Sequence, residues 1–127
     1  MGFASDIDSW KNKSINRSND AVKYLCFNMS NQIIKLTPVD TGIAKNNWQA
    51  SLDSPDRSKS SSANKTGSDA VSKANEKSRM AAGHVYYFVN SLDYIKRLEN
   101  GWSKQAASGM VMITVARFRN LFTKAIR

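Results

Sequence analysis

Few side chains in this sequence combine the types and the spacing that catalysis or metal binding needs. His84 is the only histidine and Cys26 the only cysteine, so one chain offers neither an imidazole pair nor a zinc cluster of the usual kind. Asp93 and Glu99 are a candidate carboxylate pair, but such residues more often bond backbone groups at turns. No G-x-S-x-G stretch and no glycine loop followed by Lys-Ser or Lys-Thr occurs. We therefore expect no catalytic residues, no metal ligands, no cofactor and no enzymatic activity.

The single cysteine excludes an internal disulfide bond. Cys26 falls among apolar residues at helical spacing, which favours a small buried hydrophobic side chain over a reactive thiol.

The net charge of +9, with a pI near 9.9, is the strongest compositional signal. A basic protein attracts polyanions, and neutralising phosphates releases their counterions. The alternative is a solvated surface with lysine in excess, and composition leaves both open. The charges are spread along the chain, which favours general electrostatic attraction over base-specific recognition.

At 127 residues the chain is expected to form a single domain, 1–127, with a core of its own. No apolar run approaches the ~20 residues that a membrane helix needs. The first residues lack the apolar centre of a signal peptide, so a soluble protein that stays inside the cell where it is made is expected.

The stretch from Leu36 to Trp48 predicts a corner in the fold. Pro38 has no backbone N–H and disfavours helix at the residue before it, so a helix should end at Leu36. The following turn can use a side-chain bond from Asp40 and a positive φ at Gly42. After the turn, residues 43–52 predict a strand.

Upstream of the corner, the sequence predicts a long helix from Ser5 or Asp6 to Leu36, with a break near 16–19. Its apolar face is formed at three- and four-residue steps by Val22, Leu25, Cys26, Met29, Ile33 and Leu36. Ile7 and Trp10 belong either to this helix or to an arm spanning residues 1–20. Trp10 is either a core residue or an exposed anchor for a neighbouring subunit.

Downstream of the corner, residues 54–67 are polar and contain no large apolar side chain, which predicts a mobile loop or one that becomes ordered on a partner. A middle helix should begin with Ser68 as N-cap and stop at Gly83. Residues 84–90 predict a strand that is apolar on both faces and therefore central in its sheet.

The last third predicts two further helices. Residues 94–101 form a short helix or turn closed by Gly101, and Ser108 or Gly109 could cap a final helix. That final helix would carry Val111, Val115, Phe118, Phe122 and Ala125 on one side, with Arg117, Arg119, Lys124 and Arg127 on its remaining surface. The expected fold is α+β, with a long N-terminal helix, a small and mainly antiparallel sheet, and middle and C-terminal helices packed on it.

Three segments, in order, resemble one known family. Residues 37–42 (TPVDTG) with Trp48, residues 89–101 and residues 103–111 (SKQAASGMV) resemble motifs of the tail-completion, or head–tail joining, proteins of tailed bacteriophages. The residues that carry the resemblance are Thr37, Pro38, Val39, Asp40, Thr41, Gly42, Trp48, Asn90, Tyr94, Leu98, Glu99, Gly101, Gly109 and Met110. Two departures are the missing proline before Tyr94 and Ala107 where a proline is common.

The resemblance implies a non-enzymatic structural protein of the virion, located in the neck or at the head-proximal end of the tail and made in the host cytoplasm. It implies a homo-oligomeric ring, six- or twelve-fold, with phage connector or adaptor and tail proteins as partners, possible non-specific contact with DNA in the lumen, and no membrane. The alternative from charge alone is a small basic nucleic-acid-binding domain.

Overall fold

The computed structural model describes residues 2–101, 103–106 and 109–117. The chain folds in the order α1 (Phe3–Leu36), α2 (Ile43–Asn46), β1 (Trp48–Leu52), α3 (Ser68–Arg79), β2 (Tyr86–Asn90), α4 (Ile95–Glu99), a 3₁₀ turn (Lys104–Ala106) and α5 (Val111–Ala116). The α+β class is as predicted, with a long N-terminal helix and a small antiparallel sheet.

Helix α1 runs without interruption for 34 residues, a length of about 50 Å. The predicted break near 16–19 is wrong. The Asn and Ser residues there each lower helix stability by less than about 0.7 kcal/mol, too little to interrupt a helix that is bonded on both sides. The predicted end is confirmed, because Thr37 adopts extended backbone angles before Pro38.

Helix α1 divides into two parts by burial. From Phe3 to Asp20 its side chains are exposed, except for the half-buried Ser5, Ser14 and Asn19. Trp10, with 70% of its surface accessible, is therefore not a core residue. Burial begins at Ala21 and becomes strongest at Ile33 and Ile34.

The two strands pair antiparallel, with Trp48 opposite Asn90 and Leu52 opposite Tyr86. Within the described residues β2 pairs only with β1, and all five of its residues are half-buried. The prediction that this strand is central is therefore wrong, because apolar composition reports contact with other elements but not the number of paired neighbours. The strand is also two residues shorter at its start than predicted.

The core lies where α1, the sheet and the C-terminal segments meet. The rings of Trp48 and Phe88 stack with centroids 5.2 Å apart, as expected for diagonal neighbours on one face of an antiparallel pair. Helix α3 closes against α1 and β1 through the small buried residues Ala70, Ala74 and Ser78. The central buried cluster comprises Ile33, Ile34, Trp48, Ala70, Ala106 and Met110.

Two predicted boundaries need correction. Residues 43–46 are helical rather than extended, and the strand starts only at Trp48. Ser68 is the first residue of α3 rather than its cap, because Gly67 occupies the cap position with a left-handed φ of 72°. Arg79 ends α3, four residues before Gly83.

Candidate assembly site

The end of α1 is fixed by hydrogen bonds through the buried Thr37. The Thr37 hydroxyl donates to the Ile33 carbonyl oxygen at 2.7 Å and accepts the indole N–H of Trp48 at 2.9 Å. Thr37 and Trp48 are 2% and 5% exposed. Thr37 and Trp48, near the two ends of the predicted corner, are therefore joined directly, and the Thr37 hydroxyl is used both as donor and as acceptor.

The turn after Pro38 depends on close backbone packing at Gly42. Gly42 has φ +89°, and a Cβ atom there would lie 2.7 Å from the carbonyl carbon and oxygen of Asn64. Asn46 bridges the same two segments, because its side-chain amide donates to the carbonyl oxygens of Gly42 (3.0 Å) and Asn64 (2.6 Å). The corner is thus bound to the polar segment 54–67.

The polar segment is held by a second asparagine. Asn47 is fully buried, and its amide group exchanges two hydrogen bonds with the backbone of Ser60: Nδ2 donates to the Ser60 carbonyl at 2.9 Å, and Oδ1 accepts the Ser60 N–H at 2.8 Å. The Asn47 side chain thereby satisfies the backbone N–H and C=O of Ser60, as a neighbouring strand would. The predicted mobility of residues 54–67 stays a prediction.

The third motif segment also reaches the corner. The Gln105 amide makes a matched pair of bonds to Val39: Oε1 accepts the Val39 N–H at 2.8 Å, and Nε2 donates to the Val39 carbonyl at 3.0 Å. Residues 66 positions apart are therefore joined. Sequence reasoning did not single out Gln105, although it lies within the SKQAASGMV segment.

Glu99 links the second and third motif segments. Its carboxylate accepts the backbone N–H groups of Met110 (3.0 Å), Val111 (2.8 Å) and Met112 (2.8 Å) at the start of α5. These N–H groups have no intrahelical acceptor, and a negative charge is favourable at this end of a helix. Glu99 is thus a capping residue supplied from another helix.

Gly109 makes this cap possible. It has φ +81°, and a Cβ atom there would lie 2.4 Å from the Glu99 carbonyl oxygen and 2.8 Å from Oε2. Gly109 itself was predicted as a cap of the last helix, but the position before α5 is Met110 and the capping oxygens come from Glu99. Ser108, the other predicted cap, lies outside the described residues, as do Phe118, Arg119, Phe122, Lys124, Ala125 and Arg127.

The remaining motif residues complete the same region. Asn90 Nδ2 donates to the Ala44 carbonyl oxygen at 3.0 Å, which fixes the end of β2 against α2. Gly101 follows α4 with φ +83° and its N–H bonds to the Leu98 carbonyl at 3.1 Å. The Asn90 bond holds the start of segment 90–101 against the corner, and the Gly101 bond closes the turn after α4.

A pocket of about 260 Å³ opens where the three segments meet. Asp40 and Thr41 are exposed at this pocket, and 41% of the Tyr94 surface is accessible. A surface that combines an exposed carboxylate, a hydroxyl and an aromatic ring can bind a protein side chain or loop. The lining residues are Pro38, Val39, Asp40, Thr41, Gly42, Ala44, Tyr94, Leu98, Ser103 and Gln105.

Comparison with protein-family models, curated proteins and solved structures finds no significant match to this chain. The family resemblance therefore depends on the three ordered motifs alone.

Three titratable side chains outside this site have pKa values that are shifted by hydrogen bonding or by burial, namely those of Asp53, Cys26 and Tyr86. His84 Nδ1 lies 2.7 Å from Asp53 Oδ2, and the other Asp53 oxygen accepts the Val85 N–H. The hydrogen bond from His84 lowers the pKa of the Asp53 carboxyl group. Burial raises the pKa of the Cys26 thiol and that of Tyr86 to about 12, so the thiolate is disfavoured.

Within residues 2–101, 103–106 and 109–117, no three His, Cys, Asp or Glu side chains form a group that could hold a metal ion. In the same ranges, no helix is both long enough and apolar enough to span a membrane.

Proposed function

We propose that the chain is a structural subunit of a tailed-phage neck or tail end, which forms a ring and joins head to tail. The observation that supports this most is that the three motifs of the resemblance, far apart in sequence, meet around one exposed pocket. Gln105 joins the third segment to the corner, and Glu99 joins the second to the third. Side chains that hydrogen-bond the backbone of other segments around a surface pocket hold it in shape, which suits a rigid contact point for another protein.

In this proposal the pocket receives part of a neighbouring subunit or of a connector or tail protein. Asp40, Thr41 and Tyr94 are the contacting side chains, and the residues beneath them hold the backbone in position. Because the contact on one subunit meets a different surface on the next, repetition with rotation closes a ring.

Variants at the pocket rim test this proposal. Asp40→Lys with Tyr94→Ser changes exposed side chains and should leave the thermal midpoint nearly unchanged. Binding to purified connector and tail-end proteins, measured by native mass spectrometry, should fall at least tenfold. Asp93→Lys is the matched control, since Asp93 is exposed but does not line this pocket. If the unmodified chain bound none of these proteins, the proposal would be wrong.

The net charge of +9 supports a second candidate, a basic nucleic-acid-binding domain. DNA affinity measured against salt concentration separates the two candidates. Tight binding by the free monomer, with a steep negative slope of log affinity against log salt, favours the second. Weak binding that strengthens only when the chain is assembled favours the first.

A further inference from the structure

The N-terminal arm, defined as residues 3–20 of α1, carries an apolar stripe. Phe3, Ile7 and Trp10 are 80%, 46% and 70% exposed. Their i, i+4, i+7 spacing places them on one face of the helix. A contiguous exposed apolar patch with two aromatic rings is typical of a surface that contacts another molecule.

A second apolar surface lies further along the same helix. Between α1 and β2 runs a groove of about 330 Å³, which we call the apolar groove. Val22 at the groove is 39% exposed. The side chains that line the groove include Val22, Leu25, Cys26, Met29, Tyr86 and Phe88.

The stripe on the arm and the apolar groove are both apolar, but they cannot contact each other within one chain. Both belong to the uninterrupted helix α1, and Trp10 and Met29 are separated by about 28 Å along its axis. A straight helix cannot fold its own stripe back onto its own groove. We propose that the arm of one copy inserts Phe3, Ile7 and Trp10 into the apolar groove of a second copy.

Charge favours a second copy over a membrane or a nucleic acid as the occupant. The arm has three acidic and three basic residues and is neutral, so the whole net charge of +9 lies outside it. Its acidic residues Asp6 and Asp8 lie near the tip, within the first two turns of the helix. A neutral arm with an acidic tip is attracted to the basic body of another copy, whereas an arm that binds anionic lipid needs a basic polar face.

The size of the contact predicts its strength. Aromatic side chains bury about 150–250 Å² each, so the stripe covers less than the ~800 Å² per partner of a standard stable interface. Self-association of the purified chain is therefore expected to depend on concentration. The biological role of this contact rests on the proposed function. In the proposed ring, the arm in the groove joins each subunit to its neighbour.

Disulfide trapping tests the contact, because the native Cys26 lines the groove. An Ile7→Cys variant, oxidised in air with copper phenanthroline, should give a ladder of covalent oligomers. Peptide mass spectrometry should locate the bonds between the new thiol at position 7 and Cys26. Cross-links only between two position-7 thiols, or none at 100 µM chain, would overturn the proposal.

Ile15→Cys is the matched control for trapping. Ile15 is as exposed as Ile7, at 47% against 46%, but lies about 80° around the helix from Ile7 and about 140° from Trp10. Its thiol should form at most a tenth of the cross-linked product. Equal yields from both variants would mean that the arm has no preferred face, which contradicts the proposal.

A non-covalent measurement avoids dependence on thiol chemistry. Trp10→Asn should weaken self-association at least tenfold in sedimentation equilibrium, while Ile15→Asn should change it less than twofold. A chain that is monomeric at all concentrations yet binds connector or tail proteins would remove this inference and keep the proposed function. A chain that forms the cross-linked oligomers but binds no connector or tail protein would keep this inference and remove the proposed function.

Discussion

At the scale of single residues, the site is built from polar side chains that bond backbone groups of other segments. Glu99, Gln105, Asn46 and Asn47 each join parts of the chain that are distant in sequence. Asn46 and Asn47 are buried, so removing either side chain leaves buried polar groups unpaired, which costs more than the bond itself contributes. These residues are therefore the places where small substitutions have large effects.

Replacing Glu99 tests the cap on α5. Glu99→Gln removes the negative charge that three backbone N–H groups share and should lower the free energy of unfolding by about 1–3 kcal/mol. Urea denaturation measures the change. Glu76→Gln, at an exposed position of α3, should alter it by less than about 0.5 kcal/mol. Equal effects would show that the cap contributes nothing.

Alanine variants of two glycines distinguish the cost of close packing from the cost of backbone strain. Gly42 and Gly83 both have positive φ, but a Cβ atom at Gly83 would meet nothing within 4 Å, whereas one at Gly42 would meet the Asn64 backbone. Gly83→Ala should cost only the left-handed strain of about 1–2 kcal/mol. Gly42→Ala should cost about 2–5 kcal/mol because residues 63–64 must also move, and Gly42→Val more. Similar thermal midpoints for the two alanine variants would refute the close-packing explanation.

Asp56 should make stability depend on pH. The hydrogen bond from Lys73, and then those from Ser58, hold the pKa of the Asp56 carboxyl group well below its usual range. A carboxyl group with a lowered pKa in the folded state stabilises the protein above its unfolded pKa of about 4. That contribution is lost as the pH falls below about 4. The difference in unfolding free energy between the natural chain and Asp56→Asn should therefore shrink between pH 5 and pH 2, and a constant difference would exclude this role.

At the scale of elements, the sequence predicts boundaries best where a hard steric rule applies. The end of α1 before Pro38 was predictable because proline restricts the residue before it. The strand start was placed too early, because the side-chain amides of Asn46 and Asn47 bond the Gly42 and Ile43 carbonyls and stabilise one more helical turn. The convergence of the three motif segments could not be predicted from sequence, since it depends on bonds between residues up to 66 positions apart.

The polar segment 54–67 gives a prediction at this scale. The Ser60 N–H is protected by the buried Asn47 side chain, so Asn47→Ala should raise its hydrogen-exchange rate at least tenfold. Amides of β1 should change much less, since their bonds to β2 remain. The control is Asn28→Ala, which removes only a bond within α1. Rapid exchange at Ser60 in the natural chain would support the predicted mobility instead.

At the scale of the whole molecule, helix α1 is exposed to solvent in its first half and packed against the core in its second half. Its second half packs against α3 and α5, whereas its arm has little tertiary support. Most of the stability of a helix in a protein comes from tertiary packing rather than from intrinsic propensity. In dilute solution, amides of residues 6–16 should therefore exchange at least a hundredfold faster than those of residues 26–36. The same amides should become protected as concentration rises, if the arm occupies a second copy.

Because α1 continues through residues 16–19, the angular position of the arm's stripe is tied to that of the groove. Each inserted residue turns the arm by about 100° and moves it about 1.5 Å outward. One alanine added between Arg17 and Ser18 would put the stripe out of phase with the groove. Seven would bring it back to within about 20°, but about 10 Å further along the axis. The length of this uninterrupted helix would then set the spacing from one subunit to the next.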